Sequence, residues 1–176
     1  MAGGMVQAHQ AVEFPPIELD DTLDFQFAAP RKGYEYWLDK CAGRAMPDRR
    51  DIDPVQLVGI LEHLSLFDMD ISDGVLQNLR ARLIGAEFER VFGSLRNRDL
   101  PTLLGPIVWA RWMDLSGKVL AHGGPVRATG QIMFANKSHL GVELLLAPLT
   151  DGGEKPAVIF LVDHFYSIIK EARLRG

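Results

Sequence analysis

Asp163 and His164 stand side by side in "LVDHFYS", and Glu143 lies in the "LGVELLL" run before them. Carboxylates and an imidazole are the groups of general acid–base catalysis, provided that they face one another. Both stretches read as strands, in which neighbouring side chains point to opposite faces, so Asp163 and His164 cannot act together. Asp163 and Glu143 can share a face if the register allows it; a solvated sheet face is the simpler expectation for both. His63 is of the residue type that most often binds metals. No second ligand stands at metal spacing, however, and there is no H-x-x-x-H, C-x-x-C or carboxylate–histidine cluster. A histidine hydrogen-bonded to a neighbouring loop is expected, and no metal. His122 precedes Gly123-Gly124, where the dipole at a helix end favours a cation. Arg80, Arg82, Arg90, Arg96 and Arg98 can bind a phosphate or an acidic partner. Glu87, Glu89 and Asp99 are interspersed among them, which reads as mixed surface charge. No G-x-S-x-G elbow or phosphate-binding loop supplies a nucleophile or a nucleotide cradle. No catalytic residue emerges, and the chain is not expected to be an enzyme.

The elements that must position these residues are legible in part. Residues 1–30 carry Pro15, Pro16 and Pro30, five acids and no sustained period, and read as an acidic, extended arm. In "RKGYEYWLDKCAG", Tyr34, Trp37, Leu38 and Cys41 fall at helical spacing and Gly43 supplies a stop. In "RRDIDPVQLVGILEHLSLFDMD", Asp53 is a strong N-cap, Pro54 suits the first helical position and Gln56 completes a capping-box spacing. Ile52 and Leu57 stand at the staple positions. The helix ends near Leu61, and "EHLSLFDMD" follows as a first strand. Ser72-Asp73-Gly74 turns it into a second strand, Val75–Ile84, with Leu79, Ala81 and Leu83 on one face. A connector broken by Gly93 and Pro101 leads to a helix over 106–122, whose stripe is Val108, Trp112, Leu115 and Val119. Strands over 126–134, 139–149 and 157–166 complete the chain, separated by turn residues. Strands and helices do not alternate, so the pattern predicts an α+β domain: a five-stranded antiparallel sheet with helices on one face and an N-terminal helical extension. The predicted organisation is an arm (1–30), one domain (31–166) and a tail (167–176).

The totals exclude several classes. At 176 residues a single domain can bury roughly 70% of its extended surface. The net charge of −4 argues against nucleic acid as a partner. The single cysteine, Cys41, cannot form an internal disulfide, which suits a reducing compartment. No apolar run reaches the length of a membrane span, and residues 1–30 lack the basic start of a secretion signal. A cytoplasmic protein that binds neither membrane nor nucleic acid is expected.

The order of two strands, a helical crossover and three strands is similar to the PAS fold. "GRAMPDRRDIDP" (43–54), "LEHLSLFD" (61–68), "RLIG" (82–85), "GGPV" (123–126) and "LLLAPLTDGG" (145–153 with its flank) resemble a bacterial group of PAS-like proteins. Ala86 stands where members of that group often have Thr, and His63 where they also have His. The resemblance implies a sensory or protein-interaction module and carries over no ligand and no catalytic residue. It implies a pocket between the long helix and the sheet, for which Phe88, Trp109, Trp112 and Met113 are the candidate lining. These residues suit a small apolar or aromatic guest and a plain core alike. No cofactor is expected. Residues 85–105 lack the reactive cysteine of flavin-binding PAS domains, and His122, the one helical candidate for haem, sits at a glycine-terminated end; the protein should be colourless. With 31–166 assigned, the remaining segments are too short for an output domain, so a signal is expected to pass through a protein partner. A homodimer joined through the Tyr34–Cys41 stripe is the simplest. Two rivals stand beside this reading. One is a small enzyme on a cone like that of ketosteroid isomerase, which needs an inward Asp163, Glu143 or His139 with a raised pKa. The other is a pure interaction module with a filled core.

Overall fold

The computed structural model describes residues 17–175 except 97, 133 and 135; most of the expected arm therefore lies outside the described residues. Six strands form one antiparallel sheet in the order β1-β4-β5-β6-β2-β3. They are β1 (Glu18–Asp20), β2 (Leu64–Ser72), β3 (Val75–Leu83), β4 (Val126–Gln131), β5 (Leu140–Leu149) and β6 (Val158–Ser167). The helices are α1 (Ala28–Cys41), α2 (Ala86–Phe92), α3 (Leu100–His122) and α4 (Ile168–Leu174), with a 3-10 segment over Pro54–His63.

The sheet has one strand more than expected. Three residues of the supposed arm pair with β4, Leu19 opposite Ala128, a stretch too short to show a period. Nor do the helices keep to one face. Strict alternation along the central strands divides the core in two. Val142, Leu144, Leu146, Ile159, Leu161 and Phe165 pack under α2 and α3. Leu145, Ala147, Leu149, Val158, Phe160 and Val162 pack under α1 and the 3-10 segment. Strands β5 and β6, covered on both sides, are accordingly near-continuous apolar runs.

Helix α1 begins three residues before the expected start, because Pro30 in a first turn removes no intrahelical hydrogen bond. Its stripe covers its own sheet: Trp37 and Cys41 are buried there, Trp37 Nε1 donates to the Pro148 carbonyl at 2.9 Å, and Leu38 points outward. Close approach is possible because position 33 is glycine; a Cβ there would lie 2.6 Å from Val162. Asp53 does cap the next element, accepting from the Val55 amide at 3.0 Å. That element is a 3-10 helix, in keeping with β-branched Val55, Val58 and Ile60 and with Gly59. The capping box lies elsewhere, between Asp48 and Asp51. Asp73 and Gly74 both take positive φ at the β2–β3 turn, as a two-residue hairpin requires. The long helix is kinked where Gly105 leaves the helical region, so the stripe read over 106–122 is its main limb. The expected tail carries α4, capped by Ser167.

Candidate functional site

The space between α3 and the sheet holds a cavity of about 40 Å³. Its walls are Phe92, Val108, Trp112, Ile132, Val142 and Phe165, with Arg111 and Gln131 at the rim. Of the four residues expected there, Trp112 alone lines it. Phe88 closes the space behind Trp112, with ring centroids 5.7 Å apart, and also packs against Phe67 and Phe92. Trp109 and Met113 rest against the same core without reaching the cavity. A volume of this size admits about two or three water-sized groups, whereas ligand sites enclose roughly 300–1,000 Å³. Phe92, Trp112 and Phe165 crowd this cavity, and a separate open hollow of about 300 Å³ lies between β3 and the start of α3. His122 lies at the exposed end of α3 next to its glycine cap, away from this space.

The motif stretches quoted above meet in space and build the fold. Asp48, 6% exposed, accepts from Thr150 Oγ1 (2.9 Å) and from the Gly152 amide (2.7 Å). It also accepts from the amide (3.0 Å) and Nε (2.8 Å) of Arg50. The Arg50 guanidinium contact, above all, holds its carboxyl well below the usual range, with the two amides assisting. Backbone bonds from Thr150 to Pro47 and from Arg49 to Thr150 flank it. Gly85, the last residue of "RLIG", donates its amide to buried Ser65 Oγ at 3.0 Å. A Cβ at position 85 would meet the carbonyl oxygens of Glu62 at 2.5 Å and Leu64 at 2.8 Å. The arginine cluster is largely paired: Arg80 with Asp70, Arg82 with Asp68 and Asp151, and Arg90 with Glu87.

Glu143 and Asp163 are both buried, contrary to the solvated face expected of them. Register separates them: Glu143 lies opposite His164 and Leu144 opposite Asp163, so the two acids point to opposite faces. Glu143, 1% exposed, accepts from the Gln26 and Phe27 amides and from Arg127 Nε at 2.8 Å. Arg127 continues to Asp20 on β1. Phe27 at the start of α1 makes no side-chain cap of its own, so a carboxylate from β5 serves those orphan amides. Sequence spacing offers no sign of a cap donated from 116 residues away. This cluster borders an open trough of about 710 Å³ between the start of α1 and α4.

Asp163 is 0% exposed and neither of its oxygens has a hydrogen-bond partner. His63, at the end of the 3-10 segment, places Nδ1 3.5 Å from Asp163 Oδ1, and that nitrogen is unpartnered too. The loop hydrogen bond expected of His63 is therefore absent. Burial pushes the Asp163 carboxyl up to about 6. The contact with Asp163 raises His63 above its ordinary value, burial opposing it. His164, on the other face, stacks on Phe27 and is lowered by burial. Among the described residues no group of three or more His, Cys, Asp or Glu is placed to hold a metal ion.

Curated proteins give no match. Among solved structures, an RNA-binding light-oxygen-voltage receptor aligns at 17% identity with a TM-score of 0.39. The alignment covers 73% of this chain and 40% of that one. A family model described as PAS domain matches residues 26–161, from just before α1 into the first part of β6. The chain belongs to the PAS domain family.

Proposed function

We propose that this PAS domain is a regulatory module that signals through contact with another protein chain, around a core that its own aromatic side chains already fill. The observation that carries this reading is the cavity of about 40 Å³ beneath α3. A small apolar or aromatic guest meeting Phe88, Trp109, Trp112 and Met113 would first have to displace Trp112 or Phe92. Sensory function in the general sense follows from the family; the contact mode and the partner are our inference. A second copy of the chain is the simplest partner, since two-fold pairs are the commonest oligomers. The α1 stripe is spent on its own sheet. On the α1 side of the sheet, large apolar residues open to a partner include Leu38 on α1 (54% exposed) and Val55 and Val58 on the adjoining 3-10 segment (77% and 75% exposed). Among the described residues no helix is long and apolar enough to cross a membrane, and we place the module in the cytoplasm. Light scattering should return twice 19.6 kDa at micromolar concentration, and Val58→Glu should lower it. A mass of one chain for the wild type would refute the self-contact.

One observation favours acid–base enzymology as a second reading: Asp163 faces inward with a carboxyl raised to about 6, as the cone-shaped enzymes require. Against it, His139 is exposed and Glu143 is bound to backbone amides on the opposite face. Isomerisation of a small unsaturated ketone, abolished by Asp163→Asn, would favour this second reading over the first.

A further inference from the structure

A buried carboxylate with no hydrogen-bond donor is costly unless it is neutral or paired with a cation. Asp163 has one titratable neighbour within reach, His63, at 3.5 Å, and the two lie where α2 crosses from the 3-10 segment to β6. We propose that His63 and Asp163 hold a single proton between them and that loss of this proton loosens α2 from the sheet, making the pair a pH-sensitive latch.

With the proton in place the pair is neutral overall, whichever partner carries it. Without it, a bare carboxylate remains buried on β6, where α2 packs against the strand, and the charged groups nearby do little to balance it. Glu62 lies 3.6 Å from His63 Nε2. From α2, Glu87 adds negative charge, and Arg90, already bound to Glu87 at 2.6 Å, acts from farther off. Lys137 donates to the Arg90 carbonyl at 2.8 Å and to that of Val91, at the far end of the helix. His164 stands on the other side, with its ring 5.8 Å from that of His63. The first end of α2 is fixed by Gly85 on Ser65, so the loosening that the latch requires is a swing of the rest of the helix, against its Lys137 contacts, that admits water to Asp163.

Both members of the pair bind protons more tightly in the folded state than in the unfolded chain. Their contributions are complete below the unfolded values and disappear as pH rises, through about 6 for Asp163 and through the raised value for His63. His164, lowered by burial, contributes in the opposite sense. A measurement on the whole protein therefore mixes the two histidines, and a local one is needed.

The test is amide hydrogen exchange between pH 6.0 and 8.5, corrected for intrinsic rates, on wild type and Asp163→Asn. One linked proton permits at most about a tenfold change per pH unit. Protection of Glu89 and Gly93 should fall at least tenfold in the wild type, while that of Gly123, at the end of α3, stays constant. In Asp163→Asn the α2 protection should be flat. Unchanged α2 protection in the wild type, an equal fall in α3, or the same fall in the variant would each overturn the latch. If the variant does not fold, NMR titration of the His63 ring in the wild type decides. A midpoint above about 6.5 supports the shared proton, and one at or below that value refutes it.

Discussion

Removing the Asp48 carboxylate should cost the fold about 3 kcal/mol, and the structure allows that figure to be worked out. Asp48 receives four hydrogen bonds. A bond to a charged group contributes about 1.5–3 kcal/mol when buried, but not all four count at that rate. The Arg50 side chain is 70% exposed, so solvent screening leaves its ion pair contributing little. The Arg50 and Gly152 amides lie near the surface and can turn to water. Thr150 Oγ1, in a buried bond, cannot do so easily. Full value for the Thr150 bond and partial value for the others gives about 3 kcal/mol for Asp48→Ala, and about 2 kcal/mol for Asp48→Asn, which keeps one acceptor. Reversible urea unfolding at pH 7 measures both. The carboxyl is held below its usual range, so its contribution is present above the unfolded value near 3.9 and is lost as pH falls through the lower folded value. The gap between wild type and Asp48→Asn should stay constant from pH 7 to about 5 and shrink below about 4. A loss under about 1 kcal/mol for Asp48→Ala, or a gap that widens in acid, would refute the reasoning.

Other substitutions test the same construction. Gly85→Ala pushes a Cβ into two backbone carbonyls, which cannot step aside, and should lower stability by about 2–3 kcal/mol. Gly59→Ala meets nothing within 4 Å and should be neutral or stabilising by up to about 1 kcal/mol; urea unfolding measures both glycine variants. Asp53→Ala should cost about 1 kcal/mol through loss of the bond to the Val55 amide, and an unchanged urea midpoint would remove Asp53 from the cap.

What was legible in the sequence, and what was not, divides by range. The β2–β3 hairpin, the main limb of α3 and the three final strands follow from local periodicity and turn residues, and they stand within a few residues of where the sequence places them. Strand β1 has no local signature, since three residues become a strand only by pairing with Ala128 and its neighbours. The burial of Glu143 was equally hidden. Its partners are amides at positions 26 and 27 and the guanidinium of Arg127, and nothing in "LGVELLL" says that an acid within a strand will meet the start of a helix. Asp163 differs again: alternation separates it from His164 correctly, but only the two-sided covering of the sheet makes its position a buried one. The motif residues were recognisable as a pattern before their purpose was. Asp48 with Thr150 and Gly152, and Gly85 with Ser65, hold distant segments together and leave the space under α3 to aromatic rings.

That space bears on the central claim, a PAS module that works by contact around a filled core. Native mass spectrometry of freshly purified protein, with solvent extraction of a denatured sample, tests it most directly. The account predicts whole multiples of the 19.6 kDa chain and no organic molecule recovered in proportion to protein. A stoichiometric added mass of a hundred daltons or more, lost on substitution of Trp112, would contradict it.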